Sequence, residues 1–421
     1  MTPAAFSTAS ASGQGHLLSI NAYHYARGGA DVVYLNHAAL MERHGWKNSF
    51  FSMHHAENIK SEDEAYFADE IAYDSKRSLK DSIVQAGKII YSIEAQKKIS
   101  NLLDSRKIDI AHVHSVYHHQ SPSVLVELKK RGIPVVLTAH DLKLACPAYT
   151  MLSPEGVCER CKGGKVWNVA LRRCIKGSLA ASSVIMVESA VHKFFRLYAN
   201  NVDRIVAPSS FYREKLIEWG WDADKIVHVR NFVDVKETAS QVTVGDYVLF
   251  FGRLSREKGL ATLIKAAARS KVPVKIAGRG PQGDELQALA ESLSAPVEFL
   301  GFRSGQALWD VVDGAKAIVL PSEWYENGPM SVIEAFGRGK PLIGARIGGI
   351  PEMIVPGQTG WAFESGDVES LATALRTAWE TPDARILDMA KACQALASVE
   401  YSDATYYNTI QGLYGDLLGR R

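Results

Sequence analysis

The chain reads as an α/β protein built from two doubly wound parallel sheets. Three observations predict this. Its 421 residues exceed what one hydrophobic core normally serves. Short apolar runs alternate with helical patterns along most of its length, as in parallel sheets covered by helices on both faces. The alternation also comes in two series, separated by the polar segment DVKETASQVTVGD at 234–246.

In the first series LLSINAY (17–23), SFFSM (49–53), IDIAHVH (108–114), IPVVLTAH (133–140) and DRIVAPS (203–209) read as strands. ADVVYLNHAALMERHG and SPSVLVELKKRG read as helices between them, the second ending in basic residues and Gly, a helix stop. The second series begins with DYVLFFGR (246–253) and continues with KVPVKIAG, PVEFLGF, KAIVLPS and KPLIGA. Ligands of such sheets bind beyond the carboxyl ends of the strands.

Several classes are disfavoured by composition. Lysine and arginine number 48 against 46 acidic residues, so no broad nucleic-acid surface is expected. Residues 1–16 are small and polar, without the charged start and apolar run of a signal peptide, and are expected to be a disordered lead. The nearest approach to a membrane span, SLAASSVIMVESAVHKFF, is interrupted by Glu188, His192 and Lys193. Five cysteines do not make a disulfide scaffold, and a cytoplasmic address is expected.

Chemistry concentrates at the predicted strand ends. After the strand in FFGRLSREKGL, Arg253 and Lys258 precede a helix opening near Gly259. An arginine fork and a lysine point charge beside a helix start suit a diphosphate, although two solvated cations would look the same. In EWYENGPMSVIEAF, Pro329 suits the first turn of a helix, with Gly328 at its cap. The amides of Met330 and Ser331 would then face an anion, and Glu326 and Glu334 could grip hydroxyls. Gly28 and Gly29 would let backbone amides approach a ligand, as would AGRGP with Gly278 and Gly280. His140 and Asp141 end a strand, where a structural and a functional histidine are equally expected.

As an ordered set these motifs resemble glycosyltransferase family 4, the retaining GT-B enzymes, from about residue 17 to 418. The resemblance rests on R-x4-K (Arg253, Lys258), G-x-GP (Gly278, Gly280, Pro281) and E-x7-E (Glu326, Glu334), followed by GGIPEMI and GQTGW. It implies a GT-B architecture, with two Rossmann-like domains facing a cleft. Residues 17–234 would form the acceptor-binding domain, 235–246 the linker and 247–402 the nucleotide-sugar domain. A helix in 403–421 would return to the first domain.

By the same resemblance Arg253 and Lys258 would neutralise the donor diphosphate, while Glu334 would hold the ribose and Glu326 the transferred sugar. His140 would stand at the donor sugar, Gly29 would face the diphosphate, and Phe302 would lie near the base. The chain departs from the common family form in carrying Asn327-Gly328-Pro329 after the first glutamate, which leaves the sugar-facing contacts of that loop open. The implied reaction moves a hexose-type sugar from a UDP- or GDP-sugar to a glycan or lipid-linked acceptor, for cell-surface or exopolysaccharide assembly. No catalytic metal is expected. A sugar-nucleotide epimerase, or a catalytically silent sugar-nucleotide-binding protein, is the alternative.

An insert at 146–174 carries Cys146, Cys158, Cys161 and Cys174. A central C-x2-C with outlying cysteines suits tetrahedral structural Zn2+, with reduced thiols, disulfides or an iron–sulfur cluster as alternatives. Arg172, Arg173 and Lys176 beside it could meet a lipid diphosphate or the inner face of the cell membrane, or be a solvated basic turn. His112 and His114 share a strand face without an accompanying carboxylate or thiol; His114 is expected to line the cleft rather than bind metal. Cys393 is expected to be packing.

Overall fold

The computed structural model describes residues 14–71, 79–117, 119–233 and 242–419. The first series supplies β1 (Gly15–Ile20), β2 (Trp46–Phe51), β3 (Ile110–Val113) and β4 (Val135–Thr138). A two-stranded hairpin within the cysteine insert gives β5 (Leu152–Ser153) and β6 (Gly156–Val157), and β7 (Arg204–Ala207) and β8 (Ile226–His228) follow. The second series supplies β9 (Val248–Phe251), β10 (Val274–Ala277), β11 (Val297–Gly301), β12 (Ala317–Leu320), β13 (Leu342–Ala345) and β14 (Gly360–Phe363).

These form two six-stranded sheets, ordered β2-β1-β3-β4-β7-β8 and β11-β10-β9-β12-β13-β14. The registered pairs within both are parallel. Strands β3, β4, β9, β12 and β13 are buried at every position, which is why they read as unbroken apolar runs rather than alternating ones. The chain's path reverses between β1 and β3 in the first sheet and between β9 and β12 in the second. Adjacent loops diverge to opposite faces at such points and leave a crevice.

Two edge strands were not foreseen. β8 and β14 close the far ends of their sheets and are three and four residues long, too short to carry a periodic signal. The lead expected through residue 16 gives way to strand at Gly15. Of the polar joining segment, 234–241 lies outside the described residues, whereas Thr243 donates to the Asp313 carbonyl and accepts from Lys340. The apolar stretch with Glu188 and His192 is the helix Leu179–Phe194, and both residues are buried, 3.7 Å apart. No helix among the described residues is long and apolar enough to cross a membrane.

Contacts divide the chain into two compact units: Met1–Thr138 with Val187–Ile205 and Gln411–Arg421, and Ala139–Met186 with Val206–Ile410. In the second unit Phe250, Leu263, Ile276, Ile318, Phe336, Ile343 and Leu371 belong to one buried cluster, each side chain worth roughly 1.5–3 kcal/mol of burial. The first unit buries polar groups as well. His37, His112 and His114 gather with ligand atoms within 4.8 Å of one another. The Tyr414 hydroxyl, from the C-terminal helix Asp403–Leu417, lies 2.5 Å from His112 Nδ1 and 3.1 Å from His37 Nε2. His112 Nε2 meets Thr138 Oγ1 at 2.7 Å. His114, expected to line a cleft, is instead fully buried just after β3, packed against Tyr34 and His37 of the helix Gly29–Arg43.

Candidate functional site

A polar constellation lies where the second sheet reverses. After β9 the chain passes exposed Arg253, makes a single turn over Arg256–Lys258, and enters the helix Leu260–Ser270 through Gly259. Gly259 has φ +67, and a Cβ there would stand 1.9 Å from the Pro321 carbonyl oxygen. Only glycine lets this loop lie against the end of β12. That approach brings Lys258 Nζ to 2.6 Å from Glu326 Oε1, where the Ser322 hydroxyl also donates at 2.5 Å. Lys258 Nζ stands 5.5 Å from the Trp324 ring centre.

Glu326 is 6% exposed. Burial alone would push its carboxyl up, but the Lys258 charge and the hydrogen bonds from Lys258 and Ser322 outweigh that and hold it below the usual carboxylate value. It is therefore ionised at neutral pH, and the pair acts as one unit. Glu334 sits half-buried in the second turn of the helix Met330–Gly337. The two glutamates thus occupy different surroundings.

The segment between them is tied down by its own side chains. Asn327, the departure from the common family form, donates to the Ala139 carbonyl at 2.7 Å and accepts from Ser209 Oγ at 2.9 Å. It thereby links the Glu326 loop to the strand end carrying His140. Asn231 donates to the Gly328 carbonyl at 2.9 Å. Pro329, expected in the first helical turn, is the cap residue with extended ψ of 118°, so Met330 and Ser331 open the helix. Gly349 donates to the Glu326 carbonyl at 2.7 Å, and a Cβ on Gly348 would stand 2.5 Å from the Glu326 amide. Glu352, from the same GGIPEMI run, accepts from the amides of Ser210, at 2.8 Å, and Phe211.

Burial lowers His140 to about 4, so its imidazole is neutral at neutral pH. Burial raises Asp141 to about 6, against the Lys143 amide that its carboxylate accepts at 2.9 Å and the Lys143 charge. His140, Asn327, Glu326 and Lys258 all fall within the second unit.

The remaining predicted positions are spread more widely. A Cβ on Gly278 or Gly280 would collide with the carbonyls of Gly252 and Leu254, so these glycines hold the Arg253 loop close to the end of β10. Phe302 is 56% exposed, with the Arg279 guanidinium 4.7 Å from its ring centre. In the first unit Gly28 caps the helix Gly29–Arg43 with extended φ of −159°, a conformation open to any residue. Only Asp31 Oδ2, at 3.8 Å, approaches where its Cβ would be.

Cys146, Cys158, Cys161 and Cys174 line one cavity with Arg160 and Arg172. The insert also reaches the site. Its Glu159 accepts from the Tyr325 hydroxyl at 2.9 Å and from Lys215 Nζ at 2.7 Å, while the Pro154 carbonyl accepts from Arg256 at 2.6 Å. Cys393 is fully buried.

Sequence reading missed Asn231, Ser209, Glu159 and Tyr325, whose partners lie far off in the chain, and Ser322, whose partner Glu326 is four residues on but carried no motif signal. The GGIPEMI run signalled the segment of Gly348 and Glu352 without revealing its contacts.

Residues 27–237, half of the chain, match the model described as Glycosyltransferase Family 4, and residues 238–394 match Glycosyl transferases group 1. The chain is similar to glycogen synthase of Mycobacterium tuberculosis, 29% identical over 280 residues that make up 62% of this chain and 64% of that one. It also resembles the amylovoran biosynthesis glycosyltransferase AmsK of Erwinia amylovora, 26% identical over 51% of this chain and 56% of that one. Among solved structures, Anabaena HepE in complex with UDP and glucose superposes with a TM-score of 0.67 at 18% identity, over 96% of this chain and all of that one. Sucrose-phosphate synthase of Thermosynechococcus elongatus gives 0.67 at 17% identity, over 97% of this chain and all of that one. The paired parallel sheets are those of the GT-B fold, and the chain belongs to glycosyltransferase family 4.

Proposed function

We propose that this protein is a retaining glycosyltransferase that moves a hexose-type sugar from a UDP- or GDP-sugar to a glycan or lipid-linked glycan. The observation that carries this is the Lys258–Glu326 pair at the reversal point of the second sheet, with exposed Arg253 in the same loop as Lys258 and a helix opening at Met330, four residues beyond Glu326. The hard event in such a transfer is departure of a nucleoside diphosphate from an oxocarbenium-like sugar. Arg253, Lys258 and the amides of Met330 and Ser331 would meet the negative charge as it grows.

Because Lys258 already holds Glu326, a diphosphate would share that ammonium rather than find it alone. Glu326, ionised and fixed, is suited to accept from hydroxyls of the transferred sugar, and Glu334 to accept from the ribose. A neutral His140 suits a hydrogen bond to the sugar and not a fixed charge. No side chain here is assigned as a covalent nucleophile, so the acceptor would attack from the face the diphosphate leaves. Amylovoran biosynthesis, in the name of one relative, favours cell-surface or exopolysaccharide assembly. Exposed Trp167 and Leu171 next to Arg172, Arg173 and Lys176 support docking at the inner face of a membrane that carries the acceptor.

The test is a thermal-shift screen against UDP-, GDP-, ADP- and dTDP-sugars, followed by transfer with the stabilising donor. One donor should raise the melting temperature, since only the native state binds it, and the product should keep the donor's anomeric configuration. A flat screen, or an inverted product, overturns the reading.

A further inference from the structure

The insert's cysteines perform no evident part of sugar transfer, yet they lie together and reach the site through neighbouring residues. We propose that Cys146, Cys158, Cys161 and Cys174 bind one structural Zn2+, and that this staple positions the two loops carrying Lys258 and Glu326. Four observations carry it. The four thiols, from three separate parts of the insert, line a single cavity. The surrounding chain has little regular structure: two two-residue strands, a short turn at Lys162–Gly164 and a four-residue helix, Asn168–Leu171. Tyr149, Met151, Arg173 and Lys176 are non-glycine residues with positive φ in or beside it, a backbone cost that a cross-link can hold in place. Finally, Arg160 and Arg172 line the same cavity, with Arg160 Nη1 3.9 Å from Cys158 Sγ. Two guanidinium groups suit the net double negative charge that four thiolates leave around one zinc ion.

Binding converts each thiol to a thiolate ligand and releases its proton to solvent, with no oxidation or reduction. The four sulfurs do not close to the 4.8 Å spacing of the histidine trio, so coordination must draw them inward. Cys174, exposed just beyond the short helix, has room to move. From the staple two contacts lead to the site. Glu159, between Cys158 and Cys161, accepts from Tyr325, the residue before Glu326. Pro154, in the hairpin turn, accepts from Arg256 in the turn that ends at Lys258. Glu159 is thus a positioning residue. That arm rests on the reading of the site as a donor subsite, whereas metal content does not.

The experiment is elemental analysis of protein purified without chelator, with cobalt substitution as a second readout. About one equivalent of zinc is expected, with thiolate-to-cobalt charge-transfer absorption in the exchanged protein, and both should be lost in a Cys158→Ser, Cys161→Ser variant. Less than about 0.2 equivalents, or an iron–sulfur chromophore in its place, overturns the site. Glu159→Gln should keep the metal while raising the KM for donor about ten-fold with little change in kcat. Unchanged donor KM with metal retained overturns the positioning role and leaves the metal site standing. Normal zinc in a protein that binds no sugar nucleotide overturns the donor reading alone.

Discussion

The two sheets reverse direction in the same way but put different chemistry at the reversal. In the first, the loop after β1 carries Tyr23, with the Arg27 guanidinium 4.3 Å over its ring and its hydroxyl 3.3 Å from His119 Nε2. Tyr25 stacks on His55 at 4.7 Å. Burial first, then Arg27 and His55, lower His119 to about 4, so here the Arg27 cation stands among rings and a neutral imidazole. In the second, the same topological position holds a lysine, a buried carboxylate and a helix start. Sheet order fixes where a ligand can sit; a few loop residues decide whether it meets rings or charges.

The largest test of this contrast is Lys258→Ala. Turnover should fall by about 3 kcal/mol of transition-state stabilisation, read as kcat. Stability should fall as well, since Glu326 would be left buried without its counter-charge, and Glu326→Gln on that background should restore part of it. Near-normal kcat would erase the distinction between the two crevices. Next comes Asn327→Ala, which frees the Glu326 loop from Ala139 and Ser209. About 2 kcal/mol should be lost in denaturant unfolding, with donor KM raised. An unaltered unfolding midpoint would mean that the tie contributes nothing.

The first crevice has its own test in pH. His119 is lowered in the folded chain, so between its usual value near 6.5 and about 4 the unfolded state binds the extra proton. Stability contributed by the neutral ring is full above that window and is lost as pH falls through it, by at most about 1.4 kcal/mol per pH unit. His119→Asn should flatten the acid limb of a stability–pH curve; an unchanged slope would contradict the assignment. The smallest effect is expected of Tyr23→Phe, about 1 kcal/mol or less from one hydroxyl contact. It should appear in acceptor KM and leave donor KM alone, and the reverse pattern would exchange the roles of the two crevices.

How much of this the sequence discloses depends on distance along the chain. The strand ends were legible because β9 and β12 are buried on both faces and read as plain apolar runs. Arg253, Lys258 and Glu326 lie in the loops that leave those ends, and Glu334 in the helix that the second loop enters. Pairing was not legible. That Lys258 answers Glu326, or that Asn327 answers Ala139 and Ser209, depends on which loops the fold brings together. Gly259 looked like a helix start, yet what makes glycine necessary there is Pro321, met only through folding. His37 escaped notice for the same reason: its two imidazole neighbours, His112 in β3 and His114 just after it, lie far down the chain.

The helix Asp403–Leu417 completes the interior of the first unit. Tyr414 supplies the hydroxyl between His37 and His112, and the Trp46 indole donates to Gln411. During synthesis that hydroxyl is still missing when β1 and β3 leave the ribosome, and the imidazole of His112 must wait until the chain has been made as far as Tyr414, 302 residues on. Closure of this centre therefore follows synthesis of the second sheet, and cutting the chain just before Tyr414 would reopen it.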